Sequence, residues 1–137
     1  MRMNVSDKTG KSYQREVPKE KEALLLGKKI GETVEGDIIG MAGYKLQVTG
    51  GSDGAGFPMR HDVPGQKRVK AVLGYGPGVR ISRKGQKLKK LVTGNTIGAS
   101  IMQINAKIIE AGSTALDALG FTTKPKEAKK VEEKTQG

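Results

Sequence analysis

Apolar positions along the chain fall in short alternating runs cut by glycine, a period-two pattern that predicts strands and turns in preference to long helices. Met1, Met3 and Val5 alternate with Arg2, Asn4 and Ser6, and Asp7-Lys8-Thr9-Gly10 then supplies turn chemistry before residues 12–17, which predicts an opening β-hairpin. Pro18 leads into Lys19-Glu20-Lys21-Glu22-Ala23-Leu24-Leu25-Leu26, and Gly27 closes the run. Proline at the start and glycine just past the end mark one short helix. Two strands are predicted next, over 33–39 and 44–49, the second with Tyr44, Leu46 and Val48 on one face and Lys45, Gln47 and Thr49 on the other. Residues 69–73 predict a further strand. The most regular run covers 100–110, where Met102, Ile104, Ala106 and Ile108 alternate with Gln103, Asn105 and Lys107. Residues 112–120 have room for one helical turn around Leu116 and Leu119.

Six strands, one short helix and glycine-rich turns, with no internal repeat, predict a mainly β fold: a small β-barrel formed by a single β-rich domain over 1–121. Residues 122–137 hold five Lys and three Glu with little to bury, and are expected to form a flexible, disordered charged tail.

Composition narrows the picture. Leu, Ile, Val and Phe make up about 22% of the 137 residues and Trp is absent, so the core is small. The lack of cysteine excludes disulfides, thiolate metal sites and a cysteine nucleophile. No run approaches the roughly 20 apolar residues of a membrane span. The N-terminus lacks the apolar stretch of a signal peptide, which predicts a cytoplasmic protein with no membrane partner.

Candidate chemistry is sparse. The single histidine, His61, lies in Arg60-His61-Asp62-Val63-Pro64-Gly65, a loop composition that suits a surface side chain better than a catalytic base. Asp53, His61 and Asp62 lack a metal-ligand spacing. Two glycine clusters, 50–56 and 74–78, could expose backbone N–H groups to an anion. Neither carries the Gly-Lys-Ser/Thr of a phosphate-binding loop, and the second runs into Val79-Arg80-Ile81 instead of opening a helix. They read as tight turns. No enzyme, cofactor or small-molecule substrate is predicted.

Charge placement is the informative feature. The chain carries a formal net charge of +11. Within residues 60–90, Arg60, Lys67, Arg68, Lys70, Arg80, Arg83, Lys84, Lys87, Lys89 and Lys90 face Asp62 alone, a net +9 in 31 residues. An unmixed run of this kind repels itself until a polyanion neutralises it. These ten residues are the predicted RNA-binding set, contacting about six to nine phosphates, with a correspondingly steep dependence on salt. Tyr75 is the lone aromatic in the window, so base stacking is expected to be a minor contribution beside recognition of folded RNA by shape and backbone.

Residues 43–60 then supply a specific pattern. Gly50-Gly51-Ser52-Asp53-Gly54-Ala55-Gly56-Phe57-Pro58-Met59 resembles the signature of the archaeal and eukaryotic small-subunit ribosomal protein S6e family. The likeness extends to the opening 1–6, to the basic stretch 80–90 and to Gly94-Asn95-Thr96-Ile97, covering roughly residues 1–110 in family order. The resemblance implies a structural protein of the small ribosomal subunit that binds ribosomal RNA, without catalysis or cofactor, with neighbouring ribosomal proteins as further contacts and a ribosome-associated location in the cytoplasm. Its signature loop maps onto Gly50, Gly51, Asp53, Gly56, Phe57, Pro58 and Met59. Phe57 and Met59 are expected to plug the barrel edge, Asp53 to tie the turn and Arg60 to reach phosphate. Here Val79, Ile81, Ser82 and Leu88 interrupt a stretch that is richer in arginine in the family, so fewer bidentate contacts are expected. Eukaryotic members continue into a long basic helix with clustered serines, whereas this chain has no Ser after Ser113. The resemblance is thus to a short archaeal-type form, and a kinase-regulated role is not carried over.

Charge alone also admits a basic DNA-compacting chromatin protein of small β type, which would bind duplex DNA at least as well as structured RNA. An enzyme using the glycine clusters as anion cradles is the remaining alternative, and it lacks a base or metal.

Overall fold

The computed structural model describes residues 1–116. Seven strands, one α-helix and one 3-10 turn follow in chain order: β1 (Arg2–Ser6), β2 (Ser12–Glu16), α1 (Lys19–Leu25), β3 (Thr33–Glu35), the 3-10 turn (Gly36–Ile39), β4 (Lys45–Asp53), β5 (Arg68–Leu73), β6 (Leu88–Thr93) and β7 (Ile101–Glu110). The expected tail over 122–137 and most of the helical turn at 112–120 lie outside the described residues.

The strands form two sheets. Five join in the order β2-β1-β7-β4-β3, and β5 and β6 form a separate two-stranded sheet. The predicted barrel is therefore corrected to an open sheet carrying a two-stranded ribbon. β1 pairs with β7, parallel and in register from Arg2↔Gln103 to Ser6↔Lys107. The strand order places β7 at the centre, and the sheet stays open because its outer strands, β2 and β3, do not pair with each other. The ribbon joins the sheet through the isolated bridges Ser52↔Pro58 and Met59↔Thr93.

Alternation along each strand turns one face of the five-stranded sheet inward. Met3, Val5, Tyr13, Val34, Leu46, Val48, Ile104, Ala106 and Ile108 form its buried face, closed by Leu25 from α1, by Ile38 and Ile39 from the 3-10 turn, and by Met41, Tyr44, Met59 and Ile97. Each Leu, Ile or Met so buried contributes roughly 1.5–3 kcal/mol. β3 ends at Glu35 and the chain coils inward as a 3-10 turn over Gly36–Ile39, where a strand to residue 39 was predicted. Met41 N donates back to Gly36 O, and the Met41 backbone comes so close that a Cβ at Gly36 would overlap it, so the turn requires glycine there.

The predicted alternation of β7 holds from Ile104 to Ile108 and breaks at Met102. Ser52 pairs with Gln103 and Asp53 with Ile101, so Met102 is the extra residue of a bulge. Ile101 takes the buried place at 1% exposure, and Met102 is left 52% exposed.

Candidate nucleic-acid interface

The signature loop is built around Asp53, which ends β4 and is buried. Its Oδ1 accepts the N–H groups of Ala55 and Phe57, each at 3.0 Å. Gly56 completes the turn at φ 90°, in the left-handed region. Oδ2 accepts Arg68 Nε at 2.5 Å and Thr93 Oγ1 at 3.3 Å, so one carboxylate holds the loop and both strands of the ribbon. Burial draws this carboxyl upward, but the hydrogen bonds from Arg68, Phe57 and Ala55 and the charge of Arg68 outweigh it, leaving Asp53 below its ordinary value. Beyond the turn, Pro58 O accepts Thr93 N at 2.9 Å, and Met59 N donates to Gly51 O at 2.9 Å. Met59 enters the core at 3% exposure. Phe57 stays half-buried beneath the Arg68 guanidinium, whose Cζ lies 5.0 Å from the ring centroid.

The ribbon runs antiparallel from Arg68↔Thr93 at its root to Leu73↔Leu88 at its outer end. Directly opposed residues share a face and neighbours along a strand alternate, so Arg68, Lys70 and Val72 stand with Lys89, Leu91 and Thr93 on one side. Val69, Ala71 and Leu73 stand with Leu88, Lys90 and Val92 on the other. The second face is partly covered, since the β5–β6 connection folds back across it. A Cβ on Gly78 would meet Val92 Cγ1 at 2.8 Å and Pro58 Cγ at 3.2 Å. Leu73 and Val92 are buried there. The first face is open beyond Thr93, with Lys70 and Lys89 exposed and Val72 65% exposed.

The ten predicted basic residues are thus divided. Arg68, Lys70 and Lys89 share the open face, joined at its outer end by Lys87, whose Cγ lies 3.8 Å from where a Cβ on Gly74 would sit. Arg80, Arg83 and Lys84 are exposed on the connecting loop. Lys90 is exposed on the opposite face, and Lys67, also exposed, accepts Gly94 N through its carbonyl at 3.2 Å at the ribbon root.

Arg60 has a different place from the one expected of a phosphate ligand. It is 2% exposed. Its Nε and Nη2 donate to Asp62 Oδ1 and Oδ2 at 2.8 and 2.9 Å, and its Nη1 donates to Tyr75 O and Pro77 O at 2.8 and 2.9 Å. Arg60 is a brace that holds the β5–β6 connection against the ribbon. The hydrogen bond from Arg60 lowers Asp62 to about 2. The same bond raises Arg60 above its ordinary value against the opposing pull of burial. His61 is exposed, with its carbonyl accepting Asn95 Nδ2 at 3.3 Å.

The sequence pattern does not mark β6, where the three apolar positions, Leu88, Leu91 and Val92, do not alternate cleanly. It also missed Arg60 as a brace, for which the nearby Asp62 in Arg60-His61-Asp62 was the available signal.

The family model for ribosomal protein S6e matches residues 1–120. The small ribosomal subunit protein eS6 of Methanocaldococcus jannaschii is 47% identical over 112 residues, covering 82% of this chain and 83% of the relative. That of Methanothermobacter thermautotrophicus is 44% identical over 115 residues, covering 84% and 90%. That of Methanocella arvoryzae is 42% identical over 127 residues, covering 92% and 87%. The class is that of structural, non-enzymatic proteins of the cytoplasmic ribosome. Within it, the chain belongs to the ribosomal protein S6e family.

Proposed function

We propose that this chain is a structural constituent of the small ribosomal subunit that grips folded ribosomal RNA with the open face of its β5–β6 ribbon and the adjoining loop. The observation that carries the reading is the division of the ribbon: Arg68, Lys70 and Lys89 stand together on the uncovered side, with Lys87, Arg80, Arg83 and Lys84 exposed around its outer end. The lysines act as point charges toward phosphates and set position without reading bases. Arg68 differs. Its Nε is fixed by Asp53 and its plane rests on Phe57, so its two Nη groups, which no described residue engages, form a pre-oriented fork for one phosphate. On this reading the signature loop orients an arginine. Residues 1–121 act as one RNA-binding unit, and neighbouring ribosomal proteins contact its remaining surface.

The test is a titration of the full chain against a folded small-subunit ribosomal RNA fragment and a duplex DNA of matched length at two salt concentrations. Five to seven phosphate contacts predict a log–log salt slope of roughly −4 to −6. Tighter binding to the RNA at the higher salt is the expected result. Equal binding to both nucleic acids, lost together as salt rises, would overturn the reading in favour of a DNA-compacting role.

A further inference from the structure

We propose that Tyr75 is a stacking platform for one unpaired RNA base at the outer end of the ribbon. The inference rests on the RNA-binding reading above and names a ligand for one part of that surface. Tyr75 is 79% exposed, whereas Tyr13 and Tyr44 are 7% and 6% exposed. A single exposed ring on a loose loop would call for no explanation. This one is held. Arg60, itself buried, donates Nη1 to Tyr75 O and to Pro77 O on the following turn, and its other two engaged nitrogens grip Asp62. The fold buries a charged group to fix the main chain on which an unburied ring is mounted.

The ring's surroundings suit a nucleobase. Arg60 Cζ lies 6.0 Å from the centroid, so a cation stands at the edge of cation–π range while most of the ring surface meets solvent. Gly74 and Gly76 flank it without side chains. At Gly76 a Cβ would come within 3.1 Å of Arg60 Nη1, so the brace itself requires glycine there. A base laid on the exposed ring would stack there with the Arg60 charge nearby, and Lys87 beside Gly74 is placed to meet that nucleotide's phosphate. A fully paired helix offers no free base face, so the ligand is a bulged or looped nucleotide.

The experiment uses the full chain and two RNA hairpins of equal length, one fully paired and one with a single bulged 2-aminopurine. Wild type should prefer the bulged hairpin roughly tenfold and change the probe's fluorescence on binding. Tyr75→Ala should lose both the preference and the fluorescence change, while Tyr75→Phe keeps them and all three proteins show the same salt slope. The brace grips the Tyr75 carbonyl, so Tyr75→Ala should melt with wild type. Preference and fluorescence change retained in Tyr75→Ala would overturn the proposal. So would a lowered melting temperature with hairpin preference intact, which would assign the ring to the fold. Steeply salt-dependent RNA binding with no bulge preference in wild type would overturn the stacking role alone. Equal binding to duplex DNA and both hairpins would overturn the ribosomal-RNA reading as well.

Discussion

Arg68 Nε and Asp53 Oδ2 meet at 2.5 Å, and this contact fastens the basic ribbon to the signature loop. Asp53 is buried while the Arg68 side chain is 44% exposed, so the pair links the interior to the proposed RNA surface. The same carboxylate closes the turn through two backbone N–H groups and holds Thr93 at the ribbon root. One side chain therefore contributes to both loop geometry and ribbon placement.

Asp53→Ala should cost about 2–4 kcal/mol, since it strands two N–H donors and one hydroxyl and removes the partner of Arg68. Asp53→Asn should cost less, because an amide oxygen can still accept from the turn. Urea denaturation of the three proteins checks this. An Asp53→Ala midpoint equal to wild type would show that the loop is held by other contacts.

Acid should loosen the same region. For Asp53, burial pulls the carboxyl up but is outweighed by the bonds from Arg68, Phe57 and Ala55. The hydrogen bond from Arg60 takes Asp62 down to about 2. A carboxylate whose folded value lies below its unfolded value of roughly 3.9 binds fewer protons when folded. Its contribution is complete above that unfolded value and is lost as pH falls through the folded one. Urea midpoints should hold steady down to about pH 5 and decline between about pH 4 and 2. The decline should be shallower in Asp53→Asn. A midpoint that rose on acidification would contradict the assignment of both groups.

Local pattern made much of this fold legible. The hairpin, α1 and the inward set Tyr44, Leu46 and Val48 follow from alternation and from the Pro18 and Gly27 signals. Failures arose where distant contacts decide. Nothing local announces that β1 runs parallel to β7 or that β2 and β3 finish on opposite edges, which leaves the sheet open where a barrel was expected. Nothing local marks Met102 as the bulged residue, since its place depends on how Ser52 and Asp53 pair. The basic candidates were legible as a charge run, but their division between two faces needed β6 and its register with β5. Arg60 looked like another surface cation because, beside Asp62, the carbonyls that fix it, those of Tyr75 and Pro77, lie 15 and 17 residues away.

Adjacent glycines in the signature loop should behave oppositely. A Cβ on Gly51 would lie 2.4 Å from Gln103 O and 3.1 Å from Met59 Sδ, with the central strand's backbone unable to retreat. Gly51→Ala should therefore cost about 2–3 kcal/mol. At Gly50 nothing lies within 4 Å, and no left-handed backbone is required. Gly50→Ala should stay within about 0.5 kcal/mol of wild type, since it also restricts the unfolded chain. Thermal melts of the two variants decide it. Equal losses would mean that both glycines serve flexibility, with no role for close approach.

The ribbon register makes a sharper demand on the lysines than the charge run does. Read from sequence, Lys87, Lys89 and Lys90 are equivalent cations close together in a basic stretch. In the fold, Lys89 projects with Lys70 and Arg68 on the open face, while Lys90 projects from the face against which the β5–β6 connection packs. Lys70→Ala and Lys89→Ala should each weaken binding to the folded ribosomal RNA fragment about three- to tenfold and reduce the salt slope by roughly one, at every RNA sequence tried. Lys90→Ala should leave both quantities nearly unchanged, although it removes the same charge from the next residue. Long-range attraction alone cannot distinguish neighbours so close together, whereas direct phosphate contact must. Equal losses for Lys89→Ala and Lys90→Ala, measured by titration at several salt concentrations, would show that the RNA senses the ribbon's total charge and would remove its open face as the defined contact surface.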